Sequence, residues 1–125
     1  MGQTKTFISV SFQKEFIHSY PGAPEEVSFL REPHRHMLHI RVDVQVFDDD
    51  RELEFIIAKR DLSSYADTLD LVTHSTRSCE TVARTLLSYI QSEYGIDRDV
   101  VISVSEDGEN GAIIKYNTKE DEHGV

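Results

Sequence analysis

Three histidines, His18, His34 and His36, carry the chemistry most easily read from this chain. Neutral imidazole is a good zinc ligand, and three imidazoles with an open fourth position make a catalytic rather than a structural zinc centre. The spacing His34-Arg35-His36 puts two of them on one face of an extended strand, because side chains alternate there with a period of two. From His34 to Val46 that face continues as Leu38, Ile40, Val42, Val44 and Val46, while Arg35, Met37, His39, Arg41, Asp43 and Gln45 take the other. Upstream, Ile8, Val10, Phe12, Phe16 and His18 keep the same period, with Lys14 as the polar break. Pairing of the two strands would bring His18 to the other two. His-x-His alone is a weak signal, since a half-buried histidine bonded to a backbone carbonyl is commoner than a ligand. The third histidine on the paired strand is what points to zinc. His39 lies on the opposite face, His74 in a polar connector and His123 in the tail.

The elements that must hold these side chains read as one domain over residues 1–117, with a polar tail at 118–125. Strands are predicted from about Thr6 to His18 and from His34 to Phe47. The connection between them, Ser19 to Pro33, is broken by Pro21, Gly22, Pro24 and Pro33. After the acidic turn Asp48-Asp49-Asp50, the segment Glu52 to Ala58 alternates through Leu53, Phe55 and Ile57 and predicts a third strand. The acidic triplet lacks the glycine and downstream glutamate of a calcium loop. A short helix is predicted over Asp61 to Leu71, then a longer one. Ser78 is its N-cap, Glu80 lies in its first turn, Val82, Ala83, Leu86, Leu87 and Ile90 form its stripe, and Gly95 ends it. Two more strands follow, Val100 to Glu106 and Gly111 to Asn117. The expected class is α+β, an antiparallel sheet with two helices on one face.

Composition narrows the function. A formal net charge of −10, with bases mixed among acids, argues against a nucleic-acid surface, which needs clustered Lys and Arg. No apolar run reaches the length of a membrane span, and a strand pattern follows Met1 to Thr6 where a signal peptide would carry its apolar core. The single cysteine, Cys79, excludes an internal disulfide and a multi-cysteine metal site. Together these features lead us to expect a cytoplasmic protein.

The sequence resembles the 6-pyruvoyl-tetrahydropterin synthase and 6-carboxy-tetrahydropterin synthase family across about Phe7 to Asn117. Phe12 to His18 and His34-Arg35-His36 resemble the family's first strand ending in histidine and its His-Gly-His strand, with Arg35 in place of the glycine. Ser78-Cys79-Glu80-Thr81-Val82-Ala83 is similar to the start of its long helix, and Val104-Ser105-Glu106 with Gly111-Ala112-Ile113 to its penultimate strand and the next. The resemblance implies a tunnelling fold that oligomerises into a barrel as a homo-oligomer, a trimer or hexamer. It also implies Zn2+ held by His18, His34 and His36, and Glu106 as anchor for the pterin ring with Ser78 and Cys79 beside it. A carboxylate suits that role, since it accepts two parallel N–H bonds from an amino-pyrimidinone edge. Read without the resemblance, Glu106 is a solvated strand end beside Asp107 and Glu109. Cys79 reads as an ordinary small residue, although a helix N-terminus would lower its thiol pKa.

The resemblance also exposes a gap. The family's catalytic cysteine, four residues before the His-x-His pair, is Leu30 here, and the histidine of its aspartate–histidine relay is Leu71. Glu32, Asp70, His74 and Cys79 are the candidates to supply a base. Two functions are therefore expected: a zinc-dependent lyase acting on a dihydroneopterin-derived substrate, or a non-catalytic module that binds a pterin, guanine-like base or nucleotide. A structural oligomer with incidental histidines is the third.

Overall fold

In a computed structural model, residues 2–72 and 75–118 are described. Strands β1 (Thr6–His18) and β2 (His34–Val46) pair antiparallel over their whole length, from Thr6 opposite Val46 to His18 opposite His34. Strand β3 (Val100–Glu106) runs against β2, with Val44 opposite Val100 and Leu38 opposite Glu106. Strand β4 (Asn110–Tyr116) completes an open sheet of order β1-β2-β3-β4. One end of this sheet gathers His18, His34, Glu106 and the β3–β4 turn; the other gathers Thr6, Val46, Val100 and Tyr116.

The alternating pattern sorts the two faces as expected. Val10, Phe16, Leu38, Ile40, Val42, Ile102 and Val104 form a single core with Leu62, Val82, Leu86 and Ile90 of the helices. Full burial of such a side chain is worth about 1.5–3 kcal/mol. Helix α1 (Phe55–Asp67) lies along β1, and α2 (Cys79–Tyr94) lies along β3 and β4. The other face presents exposed Ser9, Ser11, Gln13 and Arg41. No helix among the described residues is long and apolar enough to cross a membrane.

The expected third strand is absent. Phe55 to Ala58 instead forms the first turn of α1, which starts six residues before the predicted helix and ends at Asp67. Glu54 explains the switch, because its Oε1 accepts the backbone N–H groups of Ile56 (2.7 Å) and Ile57 (3.2 Å), capping the helix. The buried positions are Ala58, Leu62 and Ala66, four apart, while Phe55, Ile56 and Ile57 stay about half exposed or more. The alternation of Leu53, Phe55 and Ile57 was thus a false period, overridden by a helical stripe that continues downstream. The acidic segment before it is a turn, with Asp48 Oδ1 accepting Asp50 N–H at 2.7 Å.

Two connections shape the histidine end. The Ser19–Pro33 loop contains a 3₁₀ helix (Glu25–Arg31) and closes on itself through Tyr20 N–H to Leu30 O (2.7 Å) and the Arg31 guanidinium on Ala23 O. Leu71 and Ser75, between the helices, bond to the end of β1: Ile17 N–H donates to Leu71 O (2.8 Å), and Ser75 O accepts Ser19 N–H (3.0 Å). That bridge between His18 and Ser75 carries the start of α2 to the histidines. The β3–β4 turn has positive φ at Asp107 (58°) and Gly108 (73°), the type I′ geometry that an Asp-Gly pair favours. Beyond it, Gly111 packs so closely on β3 that a Cβ would run into the Val104 carbonyl and Ser105.

Candidate metal centre

Full-length pairing of β1 with β2 makes His18 and His34 direct cross-strand neighbours, and His36 follows one step along the same face. Their ring centroids are 4.3 Å apart for His18 and His34, 4.9 Å for His34 and His36, and 5.5 Å for His18 and His36. One ligand nitrogen from each lies within 4.8 Å of the others. Phe16 stacks on His18 at 4.3 Å, so one wall of the cluster is apolar.

Hydrogen bonds fix which nitrogens face inward. His36 Nδ1 lies 2.7 Å from Asp107 Oδ2, and His34 Nδ1 lies 2.8 Å from the Glu32 carbonyl. A carbonyl can only accept, and so can an ionised carboxylate, so each Nδ1 carries the proton and each Nε2 keeps a free lone pair. His34 Nε2 and His18 Nε2 are buried with no hydrogen-bond partner among the described residues. His18 Nε2 comes within 2.9 Å of Glu106 Oε2, an ion-pair distance, without forming a hydrogen bond of good geometry. Buried polar atoms are almost always satisfied, and each orphan costs about 1–3 kcal/mol. Two orphaned imidazole nitrogens converging on a third are what a divalent cation would satisfy. The donor set therefore fits zinc, which takes neutral imidazole nitrogens.

Electrostatics agree. Burial lowers the His18 pKa, partly offset by Glu106, and the neighbouring His34 and His36 lower it further, which keeps the ring in the neutral form that ligates. Asp107 is pulled down chiefly by backbone hydrogen bonding with Met37 and then by the His36 bond, so it stays an anion. Its Oδ1 accepts Met37 N–H (2.9 Å) while Oδ2 faces His36. Asp107 is the functional residue that sequence reasoning missed, having been set beside Glu106 as a solvated neighbour. The Asp-Gly turn was the available signal, since it projects this carboxylate back onto β2.

The other expected residues divide. Glu106 joins the site, 2.9 Å from His18 and 3.8 Å from His36 through its two oxygens. Ser78 caps α2, its Oγ accepting Thr81 N–H at 3.1 Å. Cys79 is buried, and desolvation, with Glu106 and Glu80 adding to it, pushes the thiol up to about 11, opposite to the lowering expected from the helix N-terminus. Glu32 contributes its backbone carbonyl while the residue itself is exposed. Asp70 is exposed, at a left-handed φ of 56° in the connector. His74 lies outside the described residues, as does His123. His39 faces away, lining a cavity of about 490 Å3 with Gln13, Arg41 and Lys59 of α1.

Fold and site together define a small α+β protein with a candidate trihistidine metal centre at one end of an open antiparallel sheet. Compared with known proteins, its sequence matches no protein-family model and no curated protein.

Proposed function

We propose that the chain is a zinc-dependent lyase of the 6-pyruvoyl- or 6-carboxy-tetrahydropterin synthase type, acting on a dihydroneopterin-derived substrate. The observation that carries this reading is the pair of orphaned imidazole nitrogens beside the Glu106 carboxylate. His18, His34 and His36 would hold the ion through Nε2, with Asp107 and the Glu32 carbonyl orienting two of the rings. Zinc, when bound, supplies Lewis acidity that lowers the pKa of an oxygen it touches. Glu106 accepts the paired N–H groups of the amino-pyrimidinone edge and so orients the ring, with Ser78 at the rim. The protein works in the cytoplasm as a homo-oligomer, a trimer or hexamer whose sheets close into a tunnelling barrel. The outer edges of β4 and of β1 short of Ile17 support this, as do exposed Phe29, Ile56, Ile96 and Ile113.

A specific observation favours a second reading, a non-catalytic module for a pterin, guanine-like base or nucleotide. Leu30 carries no titratable group, the Cys79 thiol is protonated at neutral pH, and Glu32 and Asp70 are exposed. None of these groups is positioned as an acid or base, and a proton-transfer step that lacks one loses about 10²–10⁴ in rate. Zinc-loaded protein incubated with dihydroneopterin triphosphate, with products identified by mass spectrometry, separates the two. Turnover abolished by Glu106→Ala supports the lyase. Substrate recovered unchanged but bound to wild type, and not to the variant, supports the binding module. Absence of both conversion and binding overturns the two together.

A further inference from the structure

A cavity of about 330 Å3 opens beside the histidine cluster, walled by His18, Tyr20, Thr76, Arg77, Ser78 and Thr81. Its chemistry differs from the rest of the surface. In a chain of net charge −10, no carboxylate lines it among the described residues, and its polar side chains there are hydroxyls, one imidazole and one guanidinium. The bridge between His18 and Ser75 puts Thr76 and Arg77 at this mouth. Arg77 is half-buried, and its side-chain hydrogen bond is a long one, Nη1 to Thr85 Oγ1 at 3.4 Å. Arg31, Arg35, Arg41, Arg51 and Arg98 each sit within ion-pair distance of an acid, while Arg60 and Arg84, which have no ion pair among the described residues, are exposed to water. Arg77 has no such partner among the described residues. A guanidinium held partly out of water without a counterion, facing a cavity ringed by hydroxyls, is a receptor for an oxyanion, because its planar fork of donors matches carboxylate and phosphate. The volume is that of a small-molecule site.

We infer that this cavity binds the oxyanion group of a small substrate, a phosphate or carboxylate gripped by Arg77, with the rest of the molecule directed at His18. The inference rests on the proposed metal centre for that direction, and on Arg77 and the cavity alone for the anion. Arg77 is then a specificity residue: it selects anionic substrates over neutral analogues of the same ring.

Calorimetric titration of the full chain with inorganic phosphate, with zinc content measured on each sample, tests this. Wild type should bind phosphate, and Arg77→Ala should weaken binding by about tenfold or more, as loss of a charge-assisted pair does. Arg77→Lys should recover part of it. Thr85→Val removes the long hydrogen bond and keeps the charge, so it should bind like wild type; weakening equal to that of Arg77→Ala would mean a structural role and overturn the inference. Equal phosphate affinity in wild type and Arg77→Ala, with zinc present in both, also overturns it and leaves the metal centre standing. Binding lost in Arg77→Ala from protein that never takes up zinc supports the anion cavity while the metal reading fails.

Discussion

The two ends of the sheet hold polar clusters built on opposite terms. At the Val46 end, Arg98 donates to Tyr94 O (2.9 Å), Gln45 O (3.0 Å) and Glu52 Oε2 (2.7 Å), and its guanidinium lies over the Phe47 ring. Glu52 Oε1 in turn accepts Phe47 N–H, and buried Asp99 takes Lys5 at 2.6 Å and Thr118 N–H at 2.9 Å. Charges there meet a partner, and they tie β2, the turn after it and the end of α2 together. At the His18 end, imidazole nitrogens are buried without a partner and an arginine faces a cavity. One end is finished by folding; the other is left for something that folding does not supply. Polar groups that are satisfied stabilise, and groups held apart from satisfaction are poised for a ligand.

The sharpest way to break this contrast is His34→Leu, which should abolish stoichiometric zinc uptake in metal analysis. It should also leave the metal-free protein within about 1 kcal/mol of wild type in urea titration, because burying an apolar group in place of the orphaned Nε2 offsets the lost Nδ1 bond to the Glu32 carbonyl. A marked loss of metal-free stability would show that His34 belongs to the folding scaffold. Arg98→Ala should do the reverse, lowering stability by roughly 2 kcal/mol through its lost hydrogen bonds to backbone carbonyls while zinc binding persists.

Acid sharpens the same comparison. The Arg98 hydrogen bond, then the Phe47 N–H, lowers the Glu52 pKa to about 2 from 4.5. A depressed carboxyl stabilises the fold above its unfolded pKa, so this contribution is complete above about 4.5 and fades as pH falls toward 2. Glu52→Gln should flatten the acid limb of a stability–pH curve over that window. A smaller effect is expected from Asp107→Asn. An amide can serve His36 or Met37 with its oxygen but not both, so zinc affinity should drop about 10–100-fold, the usual cost of losing an orienting partner. Smallest of all, Cys79 should alkylate slowly with iodoacetamide near pH 8, because its thiol titrates at about 11. Rapid labelling would put a reactive thiolate back among the candidate bases.

Much of this arrangement was legible in the sequence, and the parts that were not share a cause. Period-two alternation put His18, His34 and His36 on one face and also placed Glu106 there, because strand register preserves the pattern across the sheet. Ser78 and Gly95 marked the ends of α2 by local capping chemistry. Phe55 to Ala58 misled because a short apolar run fits either period, and the deciding contact was the Glu54 side chain on backbone two and three residues ahead. Asp107 was overlooked because its role depends on a contact with His36, 71 positions away. Arg77 gave no sign in sequence, since what distinguishes it is half-burial at a cavity without an acid in ion-pair reach. The Cys79 thiol went the wrong way because desolvation under the sheet outweighs the helix dipole.

The bonding of Leu71 and Ser75 to the end of β1 has a consequence for how the molecule meets its own kind. An open sheet offers its outer strands as templates, and β1 is long and rich in phenylalanine and isoleucine, the composition that invites runaway stacking into fibrils. With backbone groups at Ile17 and Ser19 already engaged, the last stretch of that template is withdrawn. A second chain can zip onto β1 only from its Thr6 side and must stop short of the histidines. The same few bonds that deliver the start of α2 to the site thus act as a doorstop at the histidine end of that edge.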